Sequence, residues 1–250
     1  MNVSHFPIGK IAAIRNKARC AGQSDFKESA PEPSPSDVVA AFPDLRISPG
    51  WTLTAHFAGD QLGHESRVLA APPAGEAERL SDIRPAERPG YFAGMLDDLF
   101  EIPPTATGRF MRAIAGVDSP WSYLCASLLL RELVDFGAFW HALYEHDWFE
   151  HTILAGWPPP QRVLLERRQA CAGDEWRHLD IKWLEEPPKR WRPEVVVDAT
   201  GVTVRFFSYR PPGANSEEVW RHEDHYEAGC YDPRPSKTLI ATGLARCICY

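Results

Sequence analysis

Apolar and polar residues alternate along some stretches of the chain and recur at helical spacing along others. Residues 51–57 (Trp-Thr-Leu-Thr-Ala-His-Phe) alternate, as a half-buried strand does. Gly59, Asp60 and Gly63 supply turn chemistry, and residues 65–70 return as a second strand. Residues 92–100 read as a short helix stopped by Pro103 and Pro104. The clearest helix follows. Asp118 or Ser119 can cap it and Pro120 suits its first turn. Trp121, Leu124, Leu128, Leu129, Leu133, Phe136, Phe139, Trp140 and Leu143 then recur densely, so the helix is expected to run from 120 to about 149 with a buried first half. A short charged helix is expected at 161–170.

The last third of the chain changes period. Leu179, Ile181 and Trp183 alternate with His178, Asp180 and Lys182. Residues 195–197 and 202–209 flank Asp198-Ala-Thr-Gly201, a strand–turn–strand signal in which Gly201 supplies the conformational freedom of the turn. Residues 211–215 form another turn, and 217–226 a polar strand expected near a sheet edge or along a cleft. Residues 238–241 and 245–250 can add further strands.

These elements predict an α+β fold: one long buried helix and shorter helices packed on a mostly antiparallel C-terminal sheet. That order is similar to cystatin-like cone folds, in which helices and a curved sheet enclose an apolar pocket. The analogy is one of fold only, and such folds carry many functions. Residues 21–36 are polar and rich in proline and cannot bury enough apolar surface to offset their ordering entropy. The expected organisation is therefore a flexible tail, basic then Pro-rich, over 1–37, and a single domain over 38–250. Residues 1–20 carry Lys10, Arg15, Lys17 and Arg19 without an acid, with Ile8, Ile11 and Ile14 at helical spacing. They read as a frayed basic tail, with an organellar transit peptide or a surface-binding amphipathic turn as the alternative.

Charge narrows the classes. Acidic residues outnumber basic ones, 34 to 27, for a formal net charge of -7. This argues against nucleic acid as a partner, because phosphate binding needs a basic face. The densest basic run, Lys189-Arg190-Trp191-Arg192, reads as a solvated loop before a strand. No apolar run is long enough to span a bilayer. Cys20, Cys125, Cys171, Cys230, Cys247 and Cys249 include no C-x-x-C pair, so reduced thiols and a cytoplasmic location are expected.

Two clusters could carry chemistry. In the first, His141 and Glu145 lie four apart on the expected helix, as do His146 with Glu150 and Asp147 with His151. Such a pair can hold a metal. Successive residues rotate by about 100°, so the three pairs fan out and at most one addresses a given ion. His141 and Glu145 are the candidate ligands, and ordinary helix-end charge pairing is the simpler reading. In the second, a strand over 220–227 puts His222, Asp224 and Tyr226 on one face. A histidine, a carboxylate and a phenol in a row are a candidate acid–base set, set against the wet face of an edge strand. No phosphate loop, nucleophile elbow or dinucleotide fingerprint is present, and no cofactor is indicated.

Tryptophan occurs nine times, mostly around the expected helix–sheet junction. Trp140, Tyr144, Trp183 and Trp220 are candidates to line an apolar cleft, with core packing as the alternative. The leading expectation is a domain that binds a small-molecule ligand or protein partner in an aromatic cleft. The alternative is a small enzyme using the His and acid residues of both clusters, with or without a metal.

Overall fold

The computed structural model describes residues 1–22, 34–60, 63–73, 106–136, 148–159, 181–211 and 216–245. In chain order its elements are β1 (Asn2–His5), α1 (Ile8–Gly22), α2 (Pro35–Ala40), β2 (Leu45–Ile47), β3 (Thr52–Asp60), β4 (Gly63–Ala71), β5 (Ile114–Gly116), α3 (Pro120–Val134), β6 (Thr152–Ile153), β7 (Lys182–Trp183), β8 (Glu194–Asp198), β9 (Gly201–Arg210), β10 (Ser216–Tyr226) and β11 (Arg234–Ala245). Short 3-10 turns stand at Phe110–Ala113 and Trp148–Glu150. Among the described residues, three α-helices, all before residue 135, accompany a mostly antiparallel seven-stranded sheet, so the fold is α+β as expected.

The chain forms two compact units. The first comprises Met1–Ala12, Glu150–His225 and Arg234–Tyr250. It holds a seven-stranded sheet in the order β1-β8-β9-β10-β11-β7, with β6 also paired to β9. Every pairing in it with a described register is antiparallel. Val195, Val196 and Val197 give β8 the β-branched run that suits a pleated surface. The β8–β9 hairpin closes at Asp198↔Gly201, where Gly201 sits at φ 141° and the Asp198 carboxylate accepts from the Thr200 amide at 2.8 Å. Hydrogen bonds from Thr200 hold that carboxyl below its ordinary range.

The second unit comprises Ala13–Phe149 and Tyr226–Pro233. α3 begins as its sequence signals. Ser119 caps it in a reciprocal capping box with Ser122, and Pro120 stands in the first turn. Leu124, Leu128, Leu129 and Leu133 are fully buried, each contributing roughly 1.5–3 kcal/mol. α3 packs on α2, β2 and β4.

Several expectations are corrected. The helix over 120–149 ends at Val134, where Asp135 caps it, and Trp148–Glu150 is a separate 3-10 turn. Residues 1–22 are not a tail. β1 pairs with β8, and Ile11, Arg15 and Ala18 of α1 are buried. The basic character of α1 serves an internal ion pair: Arg15 Nε lies 2.7 Å from Glu132 Oε1. β10 is no edge strand, because it runs between β9 and β11. Its polar side chains tolerate that position because many meet polar partners across the sheet. The helices expected at 92–100 and 161–170, and the strand at 245–250 beyond its first residue, lie outside the described residues. Among the described residues no helix is long and apolar enough to cross a membrane.

Candidate functional site

β9 and β10 are neighbours in the sheet of the first unit, and alternation sorts their side chains onto two faces. One face carries Phe206, Ser208 and Arg210 from β9 and Glu218, Trp220, His222 and Asp224 from β10. The other carries Arg205, Phe207 and Tyr209 with Glu217, Val219, Arg221 and Glu223. Contacts confirm the sorting. Arg210 Nη2 meets Glu218 Oε2 at 2.9 Å on the first face, and the Tyr209 hydroxyl donates to Glu217 at 2.5 Å on the second.

The first face is built around two imidazoles. His222 is buried, stacks on the Phe206 ring at 4.7 Å, and its Nε2 lies 2.8 Å from Ser208 Oγ. β6 pairs with the far half of β9, Ile153 opposite Ser208, which brings the preceding His151 alongside. His151 Nδ1 lies 2.8 Å from the same hydroxyl. One hydroxyl thus bridges two buried imidazoles. It can donate to one ring nitrogen and accept from an N–H of the other. Asp224 is fully buried on this face. Tyr226 falls in the second unit, its hydroxyl 2.8 Å from Ser127 Oγ and its ring 5.2 Å from that of Tyr123. Of the expected row, His222 and Asp224 share this face of the first unit, which is dry and not wet, and His222 meets Ser208 and stands beside His151.

The second face is aromatic at one end and charged at the other. Phe207, Tyr209, Val219 and Ile240 belong to a buried cluster against which Trp157, Trp183 and Trp191 pack. Trp157 lies 5.5 Å from Trp183 and 6.0 Å from Trp191, and Trp191 lies 5.1 Å from Phe207. Beyond Phe207, Arg205 forks onto Glu223 with two contacts of 3.2 Å and reaches Glu194 at 2.9 Å. These bonds raise the Arg205 pKa and hold the Glu223 carboxyl low. Arg221 Nη1 meets Glu185 Oε2 at 2.6 Å, tying the segment after β7 to β10.

Between residues 185–192 and this face lies a pocket of about 500 Å³. Phe207 and Ile240 supply its apolar wall, and Arg205, Arg221, Lys189, Arg190 and Arg192 supply cations. The volume is within the range of small-molecule sites.

The sequence candidates separate as follows. Trp183 belongs to the aromatic cluster beside the pocket. Trp220 is on the opposite face, its indole N–H donating to Glu218 at 2.7 Å and its ring 5.0 Å from Lys237 Nζ. The two therefore do not line one cleft. Trp140, Tyr144, His141 and Glu145 lie outside the described residues. Among the described residues no cluster of three or more His, Cys, Asp or Glu could hold a metal. Sequence reasoning missed His151 and Ser208 as partners of His222. The available signal was Ser208 itself, a lone hydroxyl within Phe206-Phe207-Ser208-Tyr209. Comparison with known proteins finds no matching family model, no matching curated protein and no matching solved structure.

Proposed function

We propose that this protein binds a small organic ligand in the pocket between residues 185–192 and the sheet of the first unit. One observation carries the reading: a concavity of about 500 Å³ whose apolar wall, Phe207 and Ile240, is continuous with the tryptophan cluster. Half-buried indoles at the margin of a pocket offer flat apolar area at little entropic cost. The ion pairs of Arg205 and Arg221 hold the surrounding segments in place before any ligand arrives, which lowers the ordering cost of binding. The test is a titration with small aryl compounds followed by NMR. The indole N–H signals of Trp183 and Trp191 and the amides of 185–192 should shift together and saturate. Saturable shifts elsewhere with these signals unmoved would contradict the reading.

Catalysis is a second reading, favoured by the Ser208 hydroxyl lying 2.8 Å from both His222 Nε2 and His151 Nδ1. An imidazole so placed can accept the hydroxyl proton and leave a nucleophile. Ser208 is fully buried, however, which suits a satisfied core network better than an exposed nucleophile. A fluorophosphonate probe decides: covalent labelling of Ser208 would favour the enzyme, and no labelling is the outcome expected here.

A further inference from the structure

We infer that the ligand of this pocket is an organic oxyanion, a carboxylate or phosphate attached to a flat apolar body. The inference rests on the ligand-binding reading above and adds the chemistry of the ligand.

Five cations and four carboxylates line the pocket. Arg205 is engaged by Glu194 and Glu223, and Arg221 by Glu185. Lys189, Arg190 and Arg192 remain, and none has an ion-pair partner among the described residues. Glu186 is the one lining carboxylate without an ion pair there. Three unpaired cations within four residues repel one another. The chain around them has the opposite balance, with a formal net charge of -7. With five cations against four carboxylates, the lining carries a net positive charge of one, opposite in sign to the chain as a whole, and so favours anions at that spot.

The residue types specify which anion. Two of the three cations are arginines, whose planar fork matches the paired oxygens of carboxylate and phosphate. Trp191 stands between Arg190 and Arg192 in sequence and packs on Phe207, which itself lines the pocket. The cations are thus tied to the apolar wall through one residue. A ligand that placed its oxyanion on the loop and its ring on Phe207 and Ile240 would use both. A neutral ring would leave the cations unpaired.

The test uses four probes on the full chain at low salt by calorimetry: phenyl phosphate, benzoate, benzyl alcohol and inorganic phosphate. Phenyl phosphate and benzoate should bind more tightly than the other two. The double variant Arg190→Gln/Arg192→Gln alters exposed side chains and should keep its melting temperature. It should weaken both aryl oxyanions by roughly 10- to 100-fold, the loss expected for removing charge-assisted hydrogen bonds, and leave benzyl alcohol unchanged. If all aryl probes bind alike and the double variant binds them normally, the oxyanion inference fails and the aromatic pocket stands. If inorganic phosphate matches phenyl phosphate, the apolar body is wrong. If no aryl probe binds, both readings fail together.

Discussion

Arg15 and Glu132 form a buried ion pair, Nε to Oε1 at 2.7 Å, that ties α1 to α3 within the second unit. Trp148 completes it. Its indole N–H donates to the same Glu132 oxygen at 2.9 Å, its carbonyl accepts from Arg15, and the Arg15 guanidinium lies 4.1 Å from the indole ring. Burial lowers the Arg15 pKa to about 10, partly offset by Glu132, so Arg15 is charged at neutral pH. Removing Glu132 takes away the carboxylate that lies 2.7 Å from the buried Arg15 guanidinium. Glu132→Leu should cost roughly 3–5 kcal/mol in denaturant unfolding, and Arg15→Met/Glu132→Leu together should cost less than Glu132→Leu alone. A double variant as unstable as the sum of its parts would contradict this account of the pair.

The hydroxyl between His151 and His222 is a structural bridge in this account. Ser208→Ala takes a shared partner from two buried imidazoles and should destabilise the chain by about 1–3 kcal/mol. Imidazole NMR signals of both histidines should move in that variant. If only one moves, the hydroxyl does not bridge them.

Tyr231 anchors the start of α3. Its hydroxyl accepts from the Asp118 amide at 2.7 Å and lies 2.6 Å from Ser122 Oγ, and its ring stacks on Tyr123 at 4.9 Å. Gly116 faces that ring so closely that a Cβ would fall 2.4 Å from it. Gly116→Ala should therefore cost about 1–3 kcal/mol by overpacking, read as a lowered denaturation midpoint. Tyr231→Leu in the same background relieves the clash and should reduce the penalty of the alanine. Unchanged stability of Gly116→Ala would show that the ring is not held there.

Acid should loosen the charged end of the sheet face. The Arg205 fork lowers the Glu223 pKa, so its contribution is complete above the unfolded-state value and is lost as pH falls through the folded one. The pair is partly exposed, and solvent screening limits it to less than about 1 kcal/mol. Glu223→Gln should lower stability slightly at neutral pH, and the gap from the parent should close below about pH 4. A gap that widens on acidification would reverse the sign of this assignment.

The α+β class, the start of α3 and the β8–β9 hairpin were legible because each rests on local chemistry. Ser119 and Pro120 mark a helix start by themselves, and Gly201 marks a turn. The burial of β10 was not legible. Its Glu217, Glu218, His222 and Asp224 look solvent-facing until Tyr209, Arg210 and Ser208 are placed opposite them, and cross-strand partners have no sequence signature. α1 escaped for the same reason, since the partner of Arg15 lies 117 residues away. The pocket was not legible. Trp183, expected to line a cleft, packs on the aromatic cluster and does not line the pocket, and Lys189-Arg190-Trp191-Arg192 was read as a solvated loop because nothing local reveals that it shares a pocket with Phe207 and Ile240.

An organic ligand is proposed to sit over Phe207 beneath residues 185–192. A crystal structure of the protein grown with phenyl phosphate tests it most directly. The account requires density for the ring against Phe207 and Ile240, with the phosphate at Arg190 or Arg192. Ligand density on the other face of the sheet, or an empty pocket at saturating concentration, would contradict it.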